Sequence, residues 1–243
     1  MLDQINIESV LFLDVETVPA CRCYQALPER FRKLWDRKAE QLNRFDRSAT
    51  PEVKSPEQLY ERAGIYAEFG KIICISTGIY RNNILWIKSF SGDDEAAILT
   101  DFAFQLSKAQ EKKYQYLCAH NGKEFDYPYL IRRMLINGIT VPPILDLSGK
   151  KPWEINHLDT MELWKFGDFK SYTSLELLAA LFDIPTPKDD IEGSDVSRVY
   201  WDDHDLPRII AYCQKDVMTL VNLILRFKGF SMIGEEQVQR IEQ

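Results

Sequence analysis

Two β-rich runs, KIICISTGIY at 71–80 and NNILWIKSF at 82–90, meet around Arg81, Asn82 and Asn83. Short asparagine-containing links between such runs close β-hairpins, so the pair predicts neighbouring antiparallel strands. The segments after the hairpin narrow the fold further, because helical and strand patterns then alternate. Residues 93–108 repeat apolar side chains at Ala97, Ile98, Phe102 and Leu106, the spacing of one helix face. YQYLCAHN reads as a short strand, and DYPYLIRRMLINGI as a helix with Asp126 near its cap, Pro128 in its first turn and Gly138 as its stop. INHLDTMEL reads as a strand running into a helix start, and a further helix covers about 174–182. After the loop IPTPKDDIEGSD, Asp205 caps a long last helix with Ile209, Cys213, Val217, Leu220 and Ile224 on its core stripe. With the apolar run Val10–Leu13 as a first strand, this order predicts one α/β domain over 1–243, a mixed sheet flanked by helices. Residues 19–69, rich in charge and broken near TPEVKSP, read as a helical insertion after that first strand.

The composition fits this class. At 243 residues and 45% apolar the chain can bury a core, and it holds no apolar run long enough to span a membrane. MLDQINIESV has no basic stretch followed by an apolar one, so a soluble, cytoplasmic protein with no membrane partner is expected. The five cysteines are scattered and form no C-x-x-C pair, which fits a reducing compartment. Cys74, Cys118 and Cys213 fall in apolar periodic segments and read as small core residues. A net charge of −7 argues against a broad basic face that holds nucleic acid, but not against an enzyme whose carboxylates are neutralised by metal ions. The stretch from Glu29 to Arg47 is the exception, with seven basic residues against four acidic ones. It reads as a solvated mixed-charge helix or as a flap that guides phosphates.

Chemistry gathers at three places. In LFLDVETVP, Asp14 and Glu16 stand two apart on a strand and so share one side of it. Converging like charges repel unless a cation lies between them, and a divalent ion with oxygen ligands suits that place. A strand emerging into an ordinary acidic turn would carry the same letters. In AHNGKEFDYPYL, Asp126 follows a strand and opens a helix, where an N-cap is the ordinary explanation. In AYCQKDVMTL, Tyr212 and Asp216 lie one helical turn apart, one residue off the core stripe, at the border between core and solvent.

In that order and on those element types, the three sets resemble the motifs of the DEDD family of 3'-5' exonucleases, in the branch whose third motif carries a tyrosine. The chain is most similar to the predicted exonucleases related to the proofreading domain of family-B DNA polymerases. The likeness runs roughly from Val10 to Lys228 and includes HLDTMELWKFGDFKSYTSLELLAALFDIPTPKDDIEGSDV. It implies a ribonuclease H-like fold, with a mixed five-stranded sheet whose second strand runs antiparallel to the rest, in agreement with the hairpin. By position it implies catalytic roles for Asp14, Glu16, Asp126, Tyr212 and Asp216, the four carboxylates serving as metal ligands. Asn121 and Phe125 accompany Asp126, and Thr17 follows Glu16; these three are expected near the substrate's 3' end.

The implied cofactors are two divalent metal ions, Mg²⁺ or Mn²⁺, about 3.5–4 Å apart, which stabilise the attacking and leaving oxygens of phosphodiester hydrolysis. Asp14 is expected to bridge both ions, Asp126 to hold one partly through water, and Asp216 to complete the other site. With an ordinary pKa near 10, Tyr212 is expected to orient the attacking water rather than to take its proton. The implied partner is single-stranded nucleic acid, DNA favoured, with Phe125, Tyr127 and Tyr129 available for stacking. The chain is too short to contain a polymerase as well, so it acts alone or beside a separate polymerase or repair partner. An RNA-trimming exonuclease on the same fold and a non-catalytic nucleic-acid-binding module are the alternatives. Asp159 in HLDTMEL is the rival to Asp126, and His120 ranks ahead of His157 and His204 as a further contact with the site.

Overall fold

The computed structural model describes residues 4–45, 52–108, 114–168, 172–185 and 191–241. Its sheet is built from β1 (Val10–Pro19), β2 (Gly70–Arg81), β3 (Ile84–Ser91), β4 (Tyr116–Ala119), β5 (Leu158–Asp159) and β6 (Val238–Ile241). Asn82 and Asn83 link β2 to β3 with φ of 51° and 60°. Positive φ at both central positions gives a two-residue turn the twist of a hairpin, and asparagine reaches it at modest steric cost. The Tyr80 hydroxyl donates to Asn83 Oδ1 at 2.8 Å and holds the turn to its own strand.

The strand order is β5-β4-β1-β2-β3-β6. β1 pairs antiparallel with β2 and parallel with β4, and the other pairings leave β2 alone running against its neighbours among the described residues. The five strands expected become six. The added strand, β6, lies on the outer edge with only Val238 buried, so it is too short and too polar to show the alternation that marks a strand.

The two faces of β1 separate its side chains. Leu11, Leu13 and Val15 pack with α3 (Glu95–Ser107) and α4 (Asp126–Ile136), whereas Phe12 packs with α8 (Leu206–Phe227) on the other side. Each such buried aliphatic or aromatic side chain contributes about 1.5–3 kcal/mol. Asp14 and Glu16, in phase with Phe12, therefore come under α8. That helix starts at Asp205, whose carboxylate accepts the Arg208 N–H at 3.3 Å, and its stripe of Ile209, Cys213, Val217, Leu220 and Ile224 is buried throughout. It approaches the sheet closely over Gly78, where an added Cβ would stand 2.5 Å from Val217 Cγ1.

A register shift lies between Glu16 and Thr17, which pair with Cys74 and Ile72 and leave Ile73 as the extra residue of a bulge. Buried Glu95 of α3 accepts the Ile72 N–H beside it at 2.7 Å and pairs with Arg133 of α4. This ties both helices to the sheet behind the end of β1.

The segment between β1 and β2 carries α1 (Glu29–Arg44) and α2 (Pro56–Tyr60). Trp35 of α1 is buried against Tyr60 and Phe69 at centroid distances of 5.3 and 5.0 Å, and its Nε1–H donates to the Pro56 carbonyl at 2.8 Å. The rest of α1, apart from Ala39, is in contact with solvent, as a mixed-charge surface helix would be. Asp46 and Arg47, at the end of that charged run, and 186–190 of the loop IPTPKDDIEGSD lie outside the described residues. α5 (Thr160–Lys165), α6 (Leu175–Leu181) and α7 (Val196–Trp201) complete the chain, with Ser174 capping α6. Cys74, Cys118 and Cys213 are buried. Among the described residues no helix is long and apolar enough to cross a membrane.

Candidate active site

A cavity of about 920 Å³ lies against the second half of β1, and Asp14, Glu16, Asp126, Tyr212 and Asp216 all line it. Three segments far apart in sequence thus bring their carboxylates to one place: β1, the first residue of α4, and the middle of α8. Asp14 keeps part of its surface toward the cavity, yet its Oδ2 is buried with no hydrogen-bond partner. The Cys213 thiol donates to the Asp14 carbonyl at 3.5 Å and anchors α8 to β1 one residue from Tyr212. Single ligand atoms of Asp14, Glu16 and Cys213 lie within 4.8 Å of one another.

Crowding of acids shows in their proton affinities. Burial pushes the Asp14 carboxyl up to about 6, only partly opposed by the neighbouring Cys213 and Glu16 side chains. Glu16 rises well above the usual carboxylate range through burial first, then repulsion by Asp14 and Asp216. Asp126 rises in the same way, through burial and then the Asp14 charge. Burial and mutual repulsion therefore favour protons on these carboxyls that ordinary carboxylates would release.

Asp126 is 4% exposed and occupies the first turn of α4, where the cap position belongs to Phe125, whose side chain makes no capping bond. Asp159 is the residue that caps. Its two oxygens accept the N–H groups of Asn121 (3.0 Å), Lys123 (3.1 Å), Met161 (3.0 Å) and Glu162 (3.3 Å), and it is not among the residues lining the cavity. Tyr212 hydrogen-bonds to Asp216, and burial together with the charges of Asp216, Glu16 and Asp14 drives its phenol far above the usual tyrosine range.

The residues expected near the 3' end are divided. Phe125 lines the cavity, backed by Tyr129 at a centroid distance of 5.3 Å. Thr17 does not line it, and its hydroxyl meets the Tyr129 phenol. Asn121 is also absent from the wall: it adopts φ 58°, its carbonyl accepts the Glu124 and Phe125 N–H groups, and so it shapes the turn that delivers Asp126. Tyr127 and Tyr129 are core residues.

His120 lines the cavity, with Nδ1 2.8 Å from Thr160 Oγ1 and Nε2 2.8 Å from the Thr173 carbonyl. The carbonyl fixes a proton on Nε2, which leaves Nδ1 to accept from the threonine, and burial lowers the ring's proton affinity. The wall also holds Tyr172, Glu176 and the stretch Ile191–Ser194, which fall within the stretch of family likeness but are not singled out there as site residues. A Cβ on Gly193 would lie 3.8 Å from the Tyr212 hydroxyl, so this stretch passes close to the phenol.

Asp14, Glu16, Asp126 and Asp216, four of the carboxylates that face the cavity, together with the unpartnered Asp14 Oδ2 form an oxygen donor set suited to hard divalent cations. The Cys213 thiol adds a soft donor beside Asp14 and Glu16.

The model of a family described as predicted 3'-5' exonuclease related to the exonuclease domain of PolB matches residues 65–242, a span that contains Asp126, Tyr212 and Asp216 and leaves out β1. In structure the chain is similar to a family B DNA polymerase from the hyperthermophilic archaeon Pyrobaculum calidifontis. The TM-score is 0.55 at 16% identity, over 90% of this chain and 24% of the polymerase. This likeness bears out the ribonuclease H-like architecture expected, with six strands in place of five, and the chain spans about a quarter of that polymerase's length. No curated protein matches the sequence. Since the family match covers more than half of the chain, the protein belongs to the family of predicted 3'-5' exonucleases related to the exonuclease domain of PolB.

Proposed function

We propose that the protein is a metal-dependent exonuclease that removes nucleotides from the 3' end of single-stranded DNA. One observation carries this reading: Asp14, Glu16, Asp126, Asp216 and Tyr212, drawn from three distant segments, line a single cavity in which Asp14 Oδ2 has no protein partner. Asp14, Glu16, Asp126 and Asp216 would hold two ions, Mg²⁺ or Mn²⁺. Bound there, the ions supply the positive charge that the attacking and leaving oxygens of a phosphodiester need.

The chain's own groups do the rest. Tyr212 keeps its phenolic proton at any working pH, because burial and three nearby carboxylates all oppose its loss. It therefore acts by orienting: its O–H donates to Asp216, and its Oη accepts from the attacking water. His120 has both ring nitrogens engaged and serves as wall rather than as base. Phe125, supported by Tyr129, offers an aromatic face to the terminal base. A soluble, cytoplasmic protein acting alone or beside a separate polymerase or repair partner fits this activity.

Matched DNA and RNA oligonucleotides of one sequence, incubated with Mn²⁺ and resolved for products, test the reading. Mononucleotides released faster from DNA are expected. Faster release from RNA would replace the substrate, and internal fragments without mononucleotides would contradict exonuclease action.

A further inference from the structure

Tyr172 lines the cavity with 65% of its surface exposed. A side chain of that size gains little by standing in water, since its apolar ring would stabilise the fold more if covered. It is nevertheless firmly supported on one edge. Its ring meets His120 edge-on, with centroids 6.2 Å apart and planes at 80°, and His120 is held at both nitrogens. The next residue, Thr173, is buried, and its carbonyl is one of those two holds. The phenol also lies close enough to Asp126 and Asp159 for their charges, after burial, to raise its pKa. An open aromatic face on a fixed mount thus lines the same cavity as the carboxylates of the candidate metal centre.

We infer that Tyr172 stacks on a nucleobase of the single-stranded substrate and holds the strand while its scissile phosphate lies at the carboxylates. The inference rests on the exonuclease reading and deepens it. Stacking matters here because, among the described residues, no lysine or arginine lines the cavity, so direct phosphate neutralisation by the wall contributes little. Every base has a π-face, so the contact tolerates any sequence and contributes about 1–3 kcal/mol per base. Bases inside a duplex hide that face, which makes an unpaired end the preferred ligand.

Steady-state kinetics with Mn²⁺ on a single-stranded oligonucleotide carrying 2-aminopurine near its 3' end test this with Tyr172→Phe, Tyr172→Leu and Tyr172→Trp. The phenylalanine variant is expected to match the wild type, and the leucine variant to raise KM about 5- to 100-fold with kcat nearly unchanged. The tryptophan variant, with a larger face, is expected to keep or lower KM and gives the answer should the leucine variant fold poorly. Quenching of 2-aminopurine on binding is expected for all except the leucine variant. Unchanged KM and quenching in the leucine variant, or a loss confined to kcat, would overturn the inference while leaving the exonuclease reading intact. A wild type that neither quenches nor shortens the strand would overturn both.

Discussion

Asp126 and Asp159 each stand at a strand-to-helix junction, and they lie close enough for the Asp159 charge to raise the Asp126 pKa, yet they face different tasks. Asp159 satisfies four backbone N–H groups, whereas Asp126 opens onto the cavity. Asp126→Asn is therefore expected to lower metal-dependent turnover by about 100-fold or more without lowering Tm, since it removes a ligand and relieves the cost of a buried acid. Asp159→Asn is expected to cost stability, about 1–3 kcal/mol, by weakening charged caps. Parallel melting and Mn²⁺ titration of the two variants check this; a larger loss of Mn²⁺ affinity in the second would reverse the assignment.

Tyr212→Phe keeps the ring and loses the hydroxyl bonded to Asp216. An orienting role predicts kcat reduced about 10- to 100-fold, KM and Mn²⁺ affinity nearly unchanged, and a pH–rate profile of the same shape. Loss of a limb from that profile would show that the phenol titrates during turnover, against its expected role.

The acid cluster sets a pH dependence whose sign follows from its raised pKa values. Asp14, raised from 3.8 to about 6, contributes stability in full below its ordinary value and loses it as pH rises through about 6. Glu16 and Asp126, shifted in the same direction, extend that loss. In chelator, Asp14→Asn is expected to melt about 5 °C or more above the wild type near pH 8 and to lose this advantage near pH 5. Mn²⁺ near pH 8 should raise the wild-type Tm and leave the variant almost unmoved, and Mn²⁺ affinity should fall as pH drops below about 6. A Tm difference that is the same at both pH values would refute the account.

Gly78 admits α8 to the sheet. Gly78→Ala places a Cβ 2.5 Å from Val217 Cγ1 and 3.1 Å from Leu85 Cδ1, so it is expected to cost about 1–3 kcal/mol and to lower turnover by shifting Asp216 and Tyr212. Adding Val217→Ala should recover part of both losses. A double variant that adds the two single costs without recovery would place the conflict elsewhere.

What the sequence reveals follows the periodicity of its elements. Asp14 and Glu16 stand out because an apolar run ends in alternating acids, and Tyr212 and Asp216 because the α8 stripe fixes their position beside it. Asp126 is ambiguous, since an acid at a helix start reads the same whether it caps or faces a cavity. His120, Tyr172 and Gly193 belong to turns and loops whose letters carry no repeat, and only the packing of β4, α6 and α8 around β1 gathers them. The strand β6, four residues long with only Val238 buried, is too short and too polar for an alternating pattern to announce it.

The most direct test of the central claim follows a 5'-labelled single-stranded DNA oligonucleotide with Mg²⁺ or Mn²⁺, beside EDTA and Asp216→Ala controls. A ladder that shortens from the 3' end and disappears in both controls is expected. An intact oligonucleotide with either ion, or a ladder that persists in EDTA or in the Asp216→Ala protein, would contradict that claim.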